Sequence, residues 1–288
     1  PLDDDPEELV KTLSDIFKQV LSVSTTFVAA SVPVNVFNRA EVVDNVYIAL
    51  FQPDAAVRPY WNGNVKKLKV QGLNDSNPVL VDAAGQPAVA SDGRLRFSAK
   101  TFWTNTAMLP APDLDEGEVA GADGRAVHRG GAGQNIPGYL SGGPGTVNSG
   151  TTRRLFYDDG VPTLAALNAD TGTATALQAD LGTASSAVAL ELIKYARGLD
   201  VDDLDGDTNV SEARPWIMAD PLHSRPLPMN YGLRGGYSTT NQAIFIAVAG
   251  NDGLVHFIRN TTTAGAESGE EVWAFMPKSV MGKLATLR

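Results

Sequence analysis

The stretch Val46-Tyr47-Ile48-Ala49-Leu50-Phe51-Gln52-Pro53 sets Val46, Ile48 and Leu50 at every second position, the spacing that lines one face of a β-strand. Val32, Val34 and Val36 repeat that period upstream, and Val65 to Val70 reads as a further strand downstream. Turn clusters at Gln52-Pro53-Asp54, Asn62-Gly63-Asn64, Asn74-Asp75-Ser76-Asn77-Pro78 and Ser91-Asp92-Gly93 divide the region. They also mark off strand candidates at Arg94 to Phe97 and Lys100 to Thr104. Short strands between such signals predict a mainly β fold with a sandwich-like or barrel-like arrangement.

Composition agrees. The 288 residues include 28 Gly and 17 Pro, with only 7% aromatic residues, as expected for many turns linking short strands. A 43% hydrophobic and 19% charged content allows a substantial core and excludes a disordered acidic chain or a coiled coil. The formal net charge of -10 disfavours nucleic acid and anionic lipid as partners. With no Cys there are no disulfides, thiolate metal sites or thiol nucleophiles. The longest apolar run, Ala243 to Ala249, is far shorter than the roughly 20 residues of a membrane-spanning helix. The acidic start Pro1-Leu2-Asp3-Asp4-Asp5 is unlike an export signal, and a chain beginning at Pro1 is expected to have sequence upstream.

Four segments are expected along the chain. Residues 1–21 carry Leu9, Leu13, Ile16, Phe17, Val20 and Leu21 on one helical stripe, read as a helix ending an upstream domain. Residues 22–160 form a β-rich linking domain, with a Gly-rich surface excursion at 110–150 where apolar side chains are few. Residues 161–198 form a helical connector, its main helix capped by Thr183 and ended by Gly198. Residues 199–288 hold an acidic loop and then strands at Ala243 to Ala249, Leu254 to Arg259 and Glu271 to Met276, the first two joined by Gly250-Asn251-Asp252-Gly253.

Several motifs share an order with a known family. Phe27 to Val70, with Asn35-Val36-Phe37-Asn38-Arg39 and Trp61-Asn62-Gly63-Asn64-Val65-Lys66-Lys67, resembles the middle region of the PilC/PilY family of type IV pilus tip proteins. Val127-His128-Arg129-Gly130-Gly131-Ala132, Asp220-Pro221-Leu222-His223-Ser224-Arg225-Pro226, Val248 to His256 and Gly269 to Pro277 follow in the family's order. The resemblance implies a linking region followed by the first blade or blades of a C-terminal β-propeller. A propeller needs at least four blades of about 40–45 residues, more than residues 200–288 supply. The propeller is therefore expected to be incomplete in this chain, or its edge strands to be completed by neighbouring subunits.

The acidic loop is the candidate for metal. With Glu212 at position 12 of a calcium loop, Val201, Asp203, Asp205, Gly206, Asp207 and Asn209 fall at positions 1, 3, 5, 6, 7 and 9. Val201 offers no side-chain oxygen, so Asp200 or Asp202 has to replace it; the competing reading is a solvated acidic linker. The calcium set expected on this reading is Asp200, Asp202, Asp203, Asp205, Asp207, Asn209 and Glu212. His128, His223 and His256 show no zinc-type pairing. His223 lies near Asp220 and Ser224, a base and nucleophile pattern, but reads more simply as a hydrogen-bonded turn residue, and His256 as a strand-face residue. Tyr60-Trp61 beside Lys66 and Lys67 reads as packing under a turn rather than a ligand face. The Gly130 to Gly133 run lacks the Lys-Ser/Thr of a phosphate loop.

The function expected from the resemblance is non-enzymatic: an extracellular adhesion and assembly protein at the pilus tip or cell surface. Its partners would be minor pilins or other tip components and a host or surface receptor. Two alternatives stay open. One is a quinoprotein-like propeller enzyme with a quinone cofactor, motivated by the Trp-bearing segment Ala249 to Phe275. The other is a structural fibre subunit that polymerises with like subunits through open β-edges.

Overall fold

The alternation around Val46 is realised as a central strand. The computed structural model describes residues 27–31, 44–53, 61–72, 78–139 and 152–288. Its first sheet is an antiparallel meander in the order β1 (Phe27–Ser31), β2 (Asn45–Gln52), β3 (Asn62–Gln71), β4 (Val79–Val81). Val46, Ile48, Leu50 and Leu68 face a core completed by Ala88, Leu95, Ala99 and Val127. Tyr47 and Val65, on the opposite face, enter a second core with Trp103, Ile217, Ile244, Ile246 and Ile258. Both faces of β2 are thus buried, which is why Tyr47 and Ala49, not charges, occupy its alternate positions.

The second sheet has six strands: β5 (Leu155–Tyr157), β6 (Ala165–Ala166), β7 (Leu227–Asn230), β8 (Ile244–Ala249), β9 (Val255–Arg259) and β10 (Glu271–Met276). Their order is β6-β5-β10-β9-β8-β7, and only the β5–β10 pairing is parallel. Among the described residues four short α-helices accompany the sheets: α1 (Gly131–Gln134), α2 (Thr171–Leu177), α3 (Ser186–Arg197) and α4 (Leu284–Leu287). Leu155, Ala274 and Met276 pack against α2 and α3 through Leu177, Leu192 and Ile193 in a third core. Ile244, Ile246, Val248 and Ile258 carry the second sheet into the core shared with β2 and β3. The protein is therefore mainly β, in two sheets with few short helices. Among the described residues neither sheet closes on itself.

Several expectations are corrected. Asn62-Gly63-Asn64 is the start of β3, not a turn. Gly63 is required there because a Cβ would lie 2.1 Å from the Ala219 carbonyl oxygen, and its N–H donates to the Met218 carbonyl at 2.9 Å. Residues 94–97 and 100–104 form no strand, only isolated bridges such as Val89 with Leu95. Asp82 organises this region instead, accepting from Ala84, Gln86 and Lys100 N–H groups at 2.9–3.0 Å. The Gly-rich stretch runs over the surface at 110–117, but every residue from Ala122 to Ile136 is buried or half-buried. Helix α3 is capped by Ser185 rather than Thr183, whose hydroxyl bonds the Gln178 and Ser185 carbonyls, and it ends at Gly198 as expected. A boundary at 160 cuts the second sheet between β5 and β6. The helix expected at 1–21 lies outside the described residues.

Candidate functional site

Helix α3 ends at Gly198, whose φ of 103° lets its N–H reach back to the Lys194 and Tyr195 carbonyls. The chain then closes a loop. Leu199 bridges Ala213, Asp200 N–H donates to the Glu212 carbonyl at 2.9 Å, and Arg214 N–H to the Gly198 carbonyl at 2.9 Å. Within this neck, short Asp and Asn side chains fold the backbone by capping it: Asp203 accepts from Thr208 N–H, Asp205 from Asp207, Asp207 from Asn209, and Asn209 from Ser211. The outcome is three carboxylates, Asp203, Asp205 and Asp207, with oxygens within 4.8 Å of one another.

Two further carboxylates sit at the base. Asp200 is fully buried; its Oδ2 accepts from Leu204 N–H at 2.9 Å while Oδ1 has no partner. Glu212 Oε1, sealed from solvent, also has none. Burial, then the charges of Asp205 and Asp203, pushes the Asp200 carboxyl up. Burial, then Asp207 and Asp205, does the same to Glu212. These are acceptors that a hard cation with six to eight oxygen ligands would relieve. Asp202 is turned to another partner: Arg288 holds it in a bidentate pair at 2.6–3.1 Å. Val201, the mismatch at position 1, packs against the shared core, so its side chain faces away from the loop for a packing reason. Asn209 spends its Oδ1 on the Ser211 N–H.

The histidines take separate roles. His223 is exposed at a turn, and its supposed partners are engaged elsewhere: Asp220 accepts from Leu222 N–H and Asn251 Nδ2, and Ser224 Oγ accepts from Ala249 N–H at 3.0 Å. The nucleophile and base pattern is therefore not assembled. His128 lies 3.4 Å from Glu118, with burial lowering its pKa. His256 is the unexpected one. Its Nδ1 lies 2.6 Å from Glu271 and its Nε2 3.1 Å from Asp252. Glu271 in turn binds Arg153 at 2.8 and 3.1 Å, and Arg153 donates to the Arg197 carbonyl at 2.6 Å. All four side chains are buried. Burial alone would lower the His256 pKa, but Asp252 and Glu271 outweigh it and hold it at about 9. Burial would raise Glu271, yet Arg153 and His256 hold it well below the usual carboxylate range. The signal in the sequence was polarity at core phase: His256 and Ile258 share one face of β9, and Glu271 precedes Ala274 and Met276 on the matching face of β10.

Buried polar contacts also join the motifs to one another. Asn64 Nδ2 donates to the carbonyls of Val127, Arg129 and Gly130 at 2.8–3.3 Å. Lys66 Nζ donates to the carbonyls of Asp123, Gly124 and Ala126 at 2.7–2.8 Å and pairs with the Asp123 carboxylate at 3.0 Å. Asp220 N–H donates to the Trp61 carbonyl at 3.0 Å, and Asn251 Nδ2 to Asp220 Oδ1 at 2.7 Å. Among the described residues no helix is long and apolar enough to cross a membrane. No family model, curated protein or solved structure matches this chain.

Proposed function

We propose that this chain is the linking region and propeller opening of a type IV pilus tip protein of the PilC/PilY kind, acting outside the cell in adhesion and pilus assembly. The supporting observation is that the separated segments resembling that family bind one another in one continuous series. The Trp61 to Lys67 segment holds Val127 to Gly130 through Asn64 and meets Asp220 through Trp61. Asp220 holds Asn251, and His256 of the same segment holds Glu271. Residues that coincide by chance have no reason to be mutual partners in the interior. β7 to β10 form a four-stranded antiparallel meander, the pattern of one propeller blade. Calcium belongs to the same reading, held by Asp203, Asp205 and Asp207 with Asp200 and Glu212 beneath.

The test is genetic. In a piliated cell that encodes this chain, in-frame deletion of its gene is expected to remove surface pili or attachment, with restoration by the wild-type gene. Unchanged piliation and attachment reject the proposal.

A further inference from the structure

We propose that the cleft between the two sheets is a binding site for an uncharged, hydroxyl-rich ligand of the saccharide class. The inference goes beyond the pilus reading and does not depend on it, since it concerns binding by the isolated chain. The register of β2 on β3 pairs Asn45 with Lys69 and Tyr47 with Lys67, which sets these four side chains on the face that looks toward the second sheet. The opposite wall comes from the entry to β8 and from the 260–267 turn. The cleft between them has a volume of about 630 Å³, within the roughly 300–1,000 Å³ typical of small-ligand sites.

Charge in the cleft cancels. Glu267 binds both Lys67 at 2.5 Å and Lys69 at 3.2 Å, and Asp44 adds the second carboxylate. The rest of the lining is almost all hydroxyl and amide, with Thr239, Thr240, Asn241 and Gln242 in succession. Polar atoms without partners concentrate here. Asn45 and Asn260, 8% and 4% exposed, line the cleft and each has an Oδ1 with no hydrogen bond within the chain. A buried amide oxygen left unpaired destabilises the fold, so the pair calls for a partner from outside the chain.

The chemistry of that partner follows by elimination. The two amide oxygens need donors, which a sulfate lacks, and Asp44 and Glu267 repel phosphate and sulfate alike. A cation would satisfy the oxygens but faces Lys67 and Lys69. A sugar carries no charge, and each of its hydroxyls both donates and accepts, so it can serve the amide oxygens and the threonines together.

The experiment uses the purified chain with galactose, N-acetylglucosamine and lactose as probes, and with inorganic phosphate and putrescine as charged comparisons. Binding is read by saturation-transfer NMR and by shifts in amide spectra. At least one sugar is expected to bind saturably. Thr240→Trp, at the exposed rim, is expected to weaken it at least about tenfold while the melting temperature holds. Asn260→Leu should weaken it as well, with Thr240→Trp guarding against misfolding of that buried variant. The proposal is overturned if none of the three sugars binds, if sugar binding ignores Thr240→Trp, or if only phosphate or putrescine binds.

Discussion

Adjacent lysines on β3 show how a single residue's neighbours decide its role. Lys66 and Lys67 point to opposite faces, and each is buried: Lys66 among the carbonyls of the Gly-rich segment, Lys67 against Glu267. Burial lowers the pKa of Lys67 to about 8 against the pull of Glu267. Lys66→Met removes the cation from three carbonyls and the Asp123 carboxylate at once. Its expected cost is on the order of 3–5 kcal/mol, the usual penalty for breaking a buried pair, read as a lowered midpoint in urea. His256 supports a pH prediction. Its folded pKa of about 9 lies above the ordinary 6.5, so its stabilising contribution is complete below about pH 6.5 and is lost as pH rises through 9. That gap corresponds to on the order of 3 kcal/mol. Glu271 has the opposite sense, contributing above the ordinary carboxylate range and losing stability in acid. Lys67, with a lowered pKa, gains stability as pH rises through about 8, so the measurement is the difference between this chain and His256→Gln. The variant is expected to be less stable near neutrality, with the gap closing above pH 9; a constant gap would refute the linkage.

At the scale of elements, the acidic loop and helix α3 behave as one unit, because the neck at Leu199 and Ala213 is built directly on the helix C-cap. Calcium is expected to release heat on titration into the chain and to raise its melting temperature, by about 2.7 kcal/mol of stability at a hundredfold excess over Kd. Asp203→Ala combined with Asp205→Ala should abolish both effects. Asp202→Ala should preserve them, because Arg288 already occupies that carboxylate; loss of binding in Asp202→Ala would mean the ligand set is misassigned. Gly198→Ala is expected to cost more than the roughly 1 kcal/mol of an ordinary left-handed position, since its φ is 103° and the added Cβ would lie 2.8 Å from Ile217 Cδ1. Thermal unfolding followed by helical circular dichroism reads that loss. Much of this scale was legible in advance. The end of α3, the hairpin of β8 and β9, and β10 follow from local period and turn residues alone. β5 was not, because three residues carry no period, its near partner β6 has only two, and its other partner, β10, is parallel and more than a hundred residues away. The burial of 122–136 was hidden for a related reason: Asn64 and Lys66 hold it by backbone carbonyls, which leave no trace in side-chain type.

For the whole molecule, the question is whether two sheets of different topology unfold separately. The boundary read at residue 160 falls within the second sheet, between β5 and β6, because nothing local in the sequence reports which sheet a strand joins. In the fold, Tyr47 and Val65 of the first sheet share a core with Ile244, Ile246 and Ile258 of the second. Trp103 is the hinge of that sharing. Its ring stacks on Tyr47 with centroids 5.5 Å apart, and its Nε1 donates to the Asn260 carbonyl at 3.0 Å. The charged cluster of His256 lies at the same seam, since its neighbour on β8 is Val248 of the shared core and its neighbour on β10 is Ala274 of the helix-covered core. Cores joined in this way transmit the loss of one side chain to both sheets. Trp103→Ala is expected to cost about 3–5 kcal/mol. It should also lower hydrogen-exchange protection in β2 and β3 and in β8 to β10 by similar factors, with a single calorimetric transition retained. Protection lost from β2 and β3 alone, with β8 to β10 unchanged, would show that the sheets are independent folding units.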